Sequence, residues 1–567
     1  MPARHFEFQI DFAGGWATNV SGGITVSTEQ GQVSLPYLTD ATNVLFEAGS
    51  IRTIGGAVLA HKTDYGQIIA VIPVAGGNDL PDVYTVHENF GLFAWRLGTD
   101  ATEIAVELGQ ITLNPSTTEA VYTVTEFEGF TIIASDDINV RAQLIVPTTL
   151  AATPLDSAEP DFSMSVVYAG RLWVAGDPSN PARLYYSDLN DPTGGYASNL
   201  FDIDPFEGSE ITALAVFRGR LVIFKGPTNG SIHILSGRTP STFSLDEFSD
   251  SVGCAGPNAL TEFSNDVMFY GTDGQMHSLA TTQKFGDFER SNQSLPIADY
   301  LRTKVPLTQL KFVSMHNDTT DSRIWLSVPT GVGISQRQVI AVDYANGIKF
   351  SKIDYITSSQ VVPARGASVD FGKNYILANQ GKFLYSIDEE GQERVETYDS
   401  VGTVTSATYK SSVLSPKMKF LPNFGTNTAE RACVALEARS IPGDDGVYEE
   451  ENVFDPSTSF NLTWQRDIFT VESTAINQTF GSRLTNAVTL GPPPVTTHYP
   501  ETGQFILNTS QLGGPRAVES YAELESFDFR RLAIGFEKEE LNSSAKIHSV
   551  ALHITSEDST NTENYLI

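Results

Sequence analysis

The feature that most constrains this chain is a short hairpin that recurs. Residues 162–195 read FSMSVVYAGRLWVAGDPSNPARLYYSDLNDPTGG. The pattern predicts a strand over Val166–Tyr168, a turn at Gly170-Arg171 and a return strand over Leu172–Ala175. A second turn follows through Asp177-Pro178-Ser179-Asn180-Pro181, then a third strand over Arg183–Ser187. Apolar, β-branched and aromatic residues fill the runs, and Gly, Pro, Asn and Asp fill the gaps. A hairpin this small cannot bury a face by itself and needs neighbours of its own kind.

The chain supplies them. LAVFRGRLVIFKGPTNGSIHIL at 214–235 repeats the pattern, with Gly219-Arg220-Leu221 in the place of Gly170-Arg171-Leu172. LTEFSNDVMFYGTDGQMHSL at 260–279 is a looser copy that turns at Asn265-Asp266. Ser322-Arg323-Ile324-Trp325 and Gly372-Lys373-Asn374-Tyr375 continue the series, and Gly91-Leu92 and Gly129-Phe130 precede it. A strand repeat of roughly 40–50 residues is the signature of a β-propeller with one small sheet per blade. The expectation is an all-β chain: a β-propeller of six or seven blades over 61–400, an N-terminal strand segment over 1–60, and a C-terminal β-sandwich-like domain over 401–567.

Within the first span, residues 5–12 alternate so that Phe6, Phe8, Ile10 and Phe12 share one face of a strand. Thr39–Asn43 reads as one helical turn, Val44–Glu47 as a strand, Ala48-Gly49 as a turn and Ile51–Thr53 as the return. SLPIADYLR at 294–302, with Pro296 near its start, suits a short helix between blades. In the last span, strands are expected at Val434–Ala438, Phe460–Trp464, Phe527–Gly535 and Ile547–Ile554. Between them lie an acidic loop, Asp444-Asp445 through Glu449-Glu450-Glu451, and Gly/Pro-rich stretches at 491–494 and 513–515. Long loops on a β scaffold are where contacts tend to sit, and a loose surface loop reads the same way.

The early D-F-x-G-G, the D-A-x-N-V-x-F segment and the Gly turn followed by Arg52 resemble the N-terminus of tail proteins of short-tailed bacteriophages. The family is that of the tail nozzle, or tail tubular B-type, proteins. RLWVAGDPSNPARLYYSDLNDP, LVIFKGPTNGSIHIL, VGCAGPNAL and YGTDGQMHSL follow in the order seen in those propellers. The resemblance covers roughly 160–280, with weaker support at 11–56. It departs at Ile51-Arg52-Thr53-Ile54-Gly55, where the family often carries a second basic residue and a Pro. The resemblance implies a structural virion protein of the tail. It implies a homo-oligomer, a hexameric ring below a tail adaptor protein, with tail fibre or spike proteins as further candidate partners. Genomic DNA would pass through that ring without specific binding.

The net charge of −32, from 36 basic and 68 acidic residues, is compatible with that role. Gripping phosphates needs clustered Lys and Arg. Acidity also serves plain solubility. No signal peptide or membrane anchor is read: the N-terminus alternates like a strand, and the apolar run at Ile68–Val74 is far too short to span a bilayer. Two cysteines, Cys254 and Cys433, give neither a disulfide framework nor a metal spacing.

Chemistry-bearing residues are weighed and set aside. His548 and His553 lie five apart on one strand, and His87-Glu88 lacks the second His of a zincin helix. His233 and His277 occupy matching places in neighbouring repeats, where a shared site or two packed histidines are both conceivable. Gly331-Val332-Gly333 and Gly366 to Gly372-Lys373 fail the phosphate-loop spacing. Asp136-Asp137, Asp202/Asp204/Glu207 and Asp444-Asp445 are paired acids, and a calcium site at 202–207 would need several oxygens converging at about 2.4 Å. The expectation is no enzyme: no catalytic residues, no cofactor and no metal. The other reading is a tail-associated glycan-binding or glycan-cleaving propeller, for which Trp95, Trp173 and Trp325 would have to be exposed rather than packed in strands.

Overall fold

The structure is a computed structural model of the whole chain. It describes the strand at 4–10, most of 15–364 and, beyond residue 364, the strands alone, with side chains described chiefly within 15–354. The chain divides into two compact units. One is built from 1–57, 345–355 and 388–567, the other from 58–344 and 356–387. The three consecutive spans of the sequence therefore interleave, because the two ends of the chain build one unit together.

The second unit is a six-blade β-propeller. Blade 1 is Ile68–Pro73, Val83–His87, Gly91–Leu97 and Ala105–Ile111. Blade 2 is Tyr122–Phe127, Phe130–Ser135, Gln143–Val146 and Ala151–Pro154. Blade 3 is Met164–Tyr168, Arg171–Ala175, Arg183–Tyr186 and Leu200–Asp202. Blade 4 is Glu210–Phe217, Arg220–Gly226, Ser231–Ser236 and Ser244–Ser249. Blade 5 contributes Leu260–Phe263, Asp266–Tyr270 and Met276–Ser278, and blade 6 contributes Ser314–Asp318, Arg323–Pro329 and Arg337–Asp343. All are antiparallel meanders, and the first strands of blades 1 to 4 pack in succession, as do those of blades 5 and 6. Hydroxyls stitch two of them together: Thr123 and Thr125 donate to the Ser163 and Ser165 carbonyls at 2.9 and 2.8 Å.

The recurring turn has a physical cause. Phe127 pairs with Phe130, Tyr168 with Arg171 and Phe217 with Arg220, so two residues close each hairpin. Both central residues have positive φ: Glu128 and Gly129 at 50° and 78°, Ala169 and Gly170 at 53° and 69°, Arg218 and Gly219 at 50° and 70°. This is the type I′ turn, whose twist matches the strands and which favours Gly at the second position. The turn is thus Ala169-Gly170 rather than Gly170-Arg171. Two other expected members fall out of phase. Gly91 closes the second hairpin of its blade, and 372 precedes a strand, Lys373–Ala378, that pairs with Lys349–Ala364 and Phe383–Glu389.

Between blades lies an aromatic core. Trp173 is fully buried, stacks on Tyr186 at 4.6 Å, meets Phe243 edge-on at 5.2 Å and donates its indole N–H to the Tyr168 carbonyl. Truncating a ring buried in this way costs on the order of 3–5 kcal/mol. The expected helix at 294–302 forms as a 3-10 turn, Leu295–Ile297, leading into Ala298–Lys304.

In the first unit, a six-stranded sheet runs in the order Val518–Phe529, Asn427–Ser440, Ser543–Ser556, Ser50–Thr53, Val44–Glu47, with Arg4–Ile10 also on Ser543–Ser556. Two expectations are corrected. Thr39–Asn43 is not a helical turn: Asp40–Thr42 is a strand laid against Lys410–Leu414. The cause sits at Asn43, whose φ of 55° ends the run and whose amide is clamped by Asp354 at 2.7 and 2.8 Å. The single strand expected at 527–535 is two, Val518–Phe529 and Arg531–Glu539, which pair with different partners. The loops at 444–451, 491–494 and 513–515 lie outside the described residues.

Arg52 joins two carboxylates of this unit. Its Nη1 and Nη2 donate to both Asp388 oxygens at 2.7 and 2.6 Å, its Nε donates to Glu47, and the Gly55 amide completes Asp388 at 2.8 Å. Burial alone would lower the guanidinium pKa, but the two carboxylates more than reverse this and raise it. The fork geometry matches a carboxylate in a way an ammonium cannot.

Two outcomes follow. A methyl group added at Gly219 would meet nothing within 4 Å, so Gly219→Ala isolates backbone strain and is expected to cost about 1–2 kcal/mol in denaturant unfolding. Arg52→Ala strands a nearly buried Asp388 and is expected to cost about 3–5 kcal/mol, with Arg52→Lys recovering only part.

Candidate functional site

The first strands begin on one face of the propeller, here the entry face, and the turns between second and third strands share it. The position four residues after the hairpin glycine or asparagine pairs with a polar residue on the third strand: Val174 with Tyr185, Ile223 with His233 and Phe269 with His277. Each of these reaches a carboxylate at the entry face. Tyr185 donates to Asp177 at 2.7 Å, His277 lies 2.9 Å from Asp273 and His233 lies 3.3 Å from Asp204. His233 and His277 do occupy equivalent places, and each is engaged by its own carboxylate. Asp177 and Asp273 in turn accept turn amides, from Ser179 and Gln275. Burial would raise the Asp177 carboxyl, and its hydrogen bonds from Asn180, Tyr185 and two backbone amides hold it below the ordinary value.

The loop at 202–207 holds a cation of its own. Lys225 is fully buried, and its ammonium donates to the Ile203 and Asp204 carbonyls at 2.7 and 3.0 Å. Desolvation lowers its pKa against the pull of Asp204 and Glu207. Asp202 faces away in a bidentate pair with Arg183, at 2.6 and 3.0 Å. The oxygens therefore serve a protein ammonium, and among the described residues no group of three or more His, Cys, Asp or Glu is arranged to hold a metal.

The axis itself is bridged at the entry face. Asn258, just before blade 5, donates to the Tyr122 carbonyl of blade 2 at 3.0 Å, and its own carbonyl accepts the Met315 amide of blade 6. Blades 2 and 5 are opposite in a ring of six, so this bond crosses the axis. Beside it Lys311 pairs with Asp136 at 3.1 Å, and Asp136 also accepts the Val121 amide at 2.7 Å. Glu210 completes the cluster: desolvation raises its pKa, Lys311 opposes and Asp136 adds to the rise. Sequence spacing could not find this group, because Asp136 and Lys311 are 175 residues apart.

Other candidates are placed plainly. Trp95, Trp173 and Trp325 are buried at 6%, 0% and 1% exposure, so none offers a face to a sugar. His87 lies in a strand, buried, against Thr85 at 2.8 Å. Cys254 is buried in blade 5's entry, and burial pushes its thiol up to about 12. The side chains of Cys433, His548 and His553 lie outside the described residues, as do Gly366 and Gly372.

No family model matches the chain, and no curated protein matches it. Among solved structures, the computationally designed Ika8 protein aligns at 11% identity and TM-score 0.33, over 61% of this chain and 96% of that one. A structure described as YCF48 bound to D1 peptide aligns at 10% identity and TM-score 0.35, over 59% and 99%. These scores are too low to carry an argument, and the fold rests on the strand pairing above.

His233 yields a pH prediction. Burial depresses its pKa below the ordinary 6.5, outweighing Asp204. The unfolded chain then takes up the proton first, so this stability is full above pH 6.5 and drains as pH falls below it. Urea midpoints measured from about pH 7.5 to about pH 5 should fall less in His233→Gln than in the wild type.

Proposed function

We propose that this chain is a structural virion protein: a tail nozzle subunit of a short-tailed bacteriophage that assembles into a hexameric ring below the tail adaptor. The ring, not the single chain, is the conduit that retains and then passes the genome. One observation carries this reading. The propeller's axis is crossed at the entry face by Asn258 on Tyr122 and flanked by the Lys311–Asp136 pair. A propeller bridged in this way is a stiff block, and a passage for a duplex must lie between copies.

Further support comes from where the resemblance falls. The segments in the order of nozzle proteins occupy blades 3, 4 and 5 in succession. The acids and histidines on that face are engaged in bracing turns, which is the work of a scaffold. Trp95, Trp173 and Trp325 are packed inside, so these three offer no aromatic platform of the kind a glycan-handling propeller would use. A chain with a net charge of −32 releases few counterions on meeting DNA, so a duplex can slide past without being held.

The deciding measurement is electron microscopy of the purified chain, alone and mixed with the adaptor ring. Six-fold rings, or six copies capping the adaptor, are expected, with no retention of duplex DNA in gel shifts at low salt. A monomer that ignores the adaptor while binding an oligosaccharide would replace this reading with the glycan one.

A further inference from the structure

Blade 6 has two unlike faces. Asn317 reaches the Glu262 carbonyl at 2.8 Å and Gln338 meets Tyr300, so the face bearing Met315, Asn317, Leu326 and Gln338 packs towards blade 5. Cross-strand register puts Ser314, His316, Asp318, Arg323, Trp325, Ser327, Arg337 and Asp343 on the opposite face. Trp325 and Ser327 are each 1% exposed.

The polar groups at one end of that face are satisfied. Arg323 is buried and paired with Asp343 at 2.6 Å and Asp321 at 3.4 Å. The groups at the other end are not. The Trp325 indole N–H, the Ser314 and Ser327 hydroxyls and the Arg337 Nε and Nη1 are buried without a hydrogen-bond partner among the described residues. Register keeps them near one another: Ser314 stands opposite Ser327, and Trp325 and the Pro329–Arg337 pair flank Ser327 two residues to either side. Every one of these groups can donate, and two of them belong to a guanidinium that no carboxylate among the described residues neutralises. Burial without a countercharge depresses the Arg337 pKa to about 10.

An orphaned buried donor costs on the order of 1–3 kcal/mol, and an unpaired buried charge costs more. Chance orphans would mix donors and acceptors, whereas a run of donors around a cation has the composition of an oxyanion cradle. We propose that this face of blade 6 binds a small inorganic oxyanion, phosphate or sulfate, held by Arg337, Ser314, Ser327 and the Trp325 indole N–H. The proposal is independent of the tail reading. In it the anion is an internal strut of the last blade, doing for Arg337 what Asp343 does for Arg323.

The test uses the full chain, desalted into chloride at matched ionic strength. Ion chromatography of the denatured protein looks for a retained anion, and thermal unfolding is followed as inorganic phosphate or sulfate is added. Expected is either about one oxyanion per chain, or a concentration-dependent rise of at least about 3 °C that saturates. Arg337→Met and the milder Ser327→Ala and Trp325→Phe should lose or weaken that response, while Arg302→Met, at an exposed surface pair, keeps it. General stabilisation by excluded salts is shared by all variants and does not saturate. A parallel rise in every variant, or no retained anion together with no saturable rise, overturns the proposal and leaves ordered water as the partner of these donors.

Discussion

The propeller depends on a two-residue turn. Each I′ hairpin aims the first strand at the axis and brings the second back in register, and it does so only if two successive residues accept positive φ. Glu128, Ala169 and Arg218 accept it at the first of these positions without being glycine. Each such residue is held against its own preference by about 1–2 kcal/mol. Neighbouring blades hold it there: Thr125 to Ser165 across the first strands, Tyr168 to the Gly237 carbonyl, Trp173 among Tyr186, Phe201 and Phe243. The turns are therefore both cause and beneficiary of the ring, which gives the blades their cooperativity.

Charge follows the same logic of local engagement. In a chain so acidic, buried cations are few and consequential. Lys225 organises the loop after blade 3, Arg323 the strands of blade 6, and Arg52 the sheet of the other unit. Each is satisfied by groups distant in sequence, and breaking one partner away would leave the other charged in a poor solvent. Among the described residues, the Arg337 Nε and Nη1 have no such partner, and they are the groups around which the oxyanion is proposed.

What can be read from the sequence divides along physical lines. The hairpins of blades 2 to 5 are legible because a tight turn demands Gly or Asn at a fixed place between apolar runs. Blade 1 reads out of phase because its first two strands, Ile68–Pro73 and Val83–His87, are separated by nine residues, leaving Gly91 to mark the second hairpin. The strand at 40–42 is hidden because its ending depends on Asn43 meeting Asp354, 311 residues away. The axial bridge is illegible for the same reason, since nothing local distinguishes Asn258 from any other turn asparagine. The carboxylates seven or eight residues after the turns, Asp137, Asp177 and Asp273, do carry a readable period, and Asp177 and Asp273 accept amides of the turns that hold them.

The pairing of Arg4–Ile10 with Ser543–Ser556 bears on how the chain comes into being. During synthesis the N-terminal strand emerges early and waits for a partner more than five hundred residues away, while each blade sheet described above pairs strands that are close in sequence. The unit made from both ends is therefore the last to form, and only on a chain translated through to that partner strand. Any surface that the unit offers is therefore withheld from truncated products.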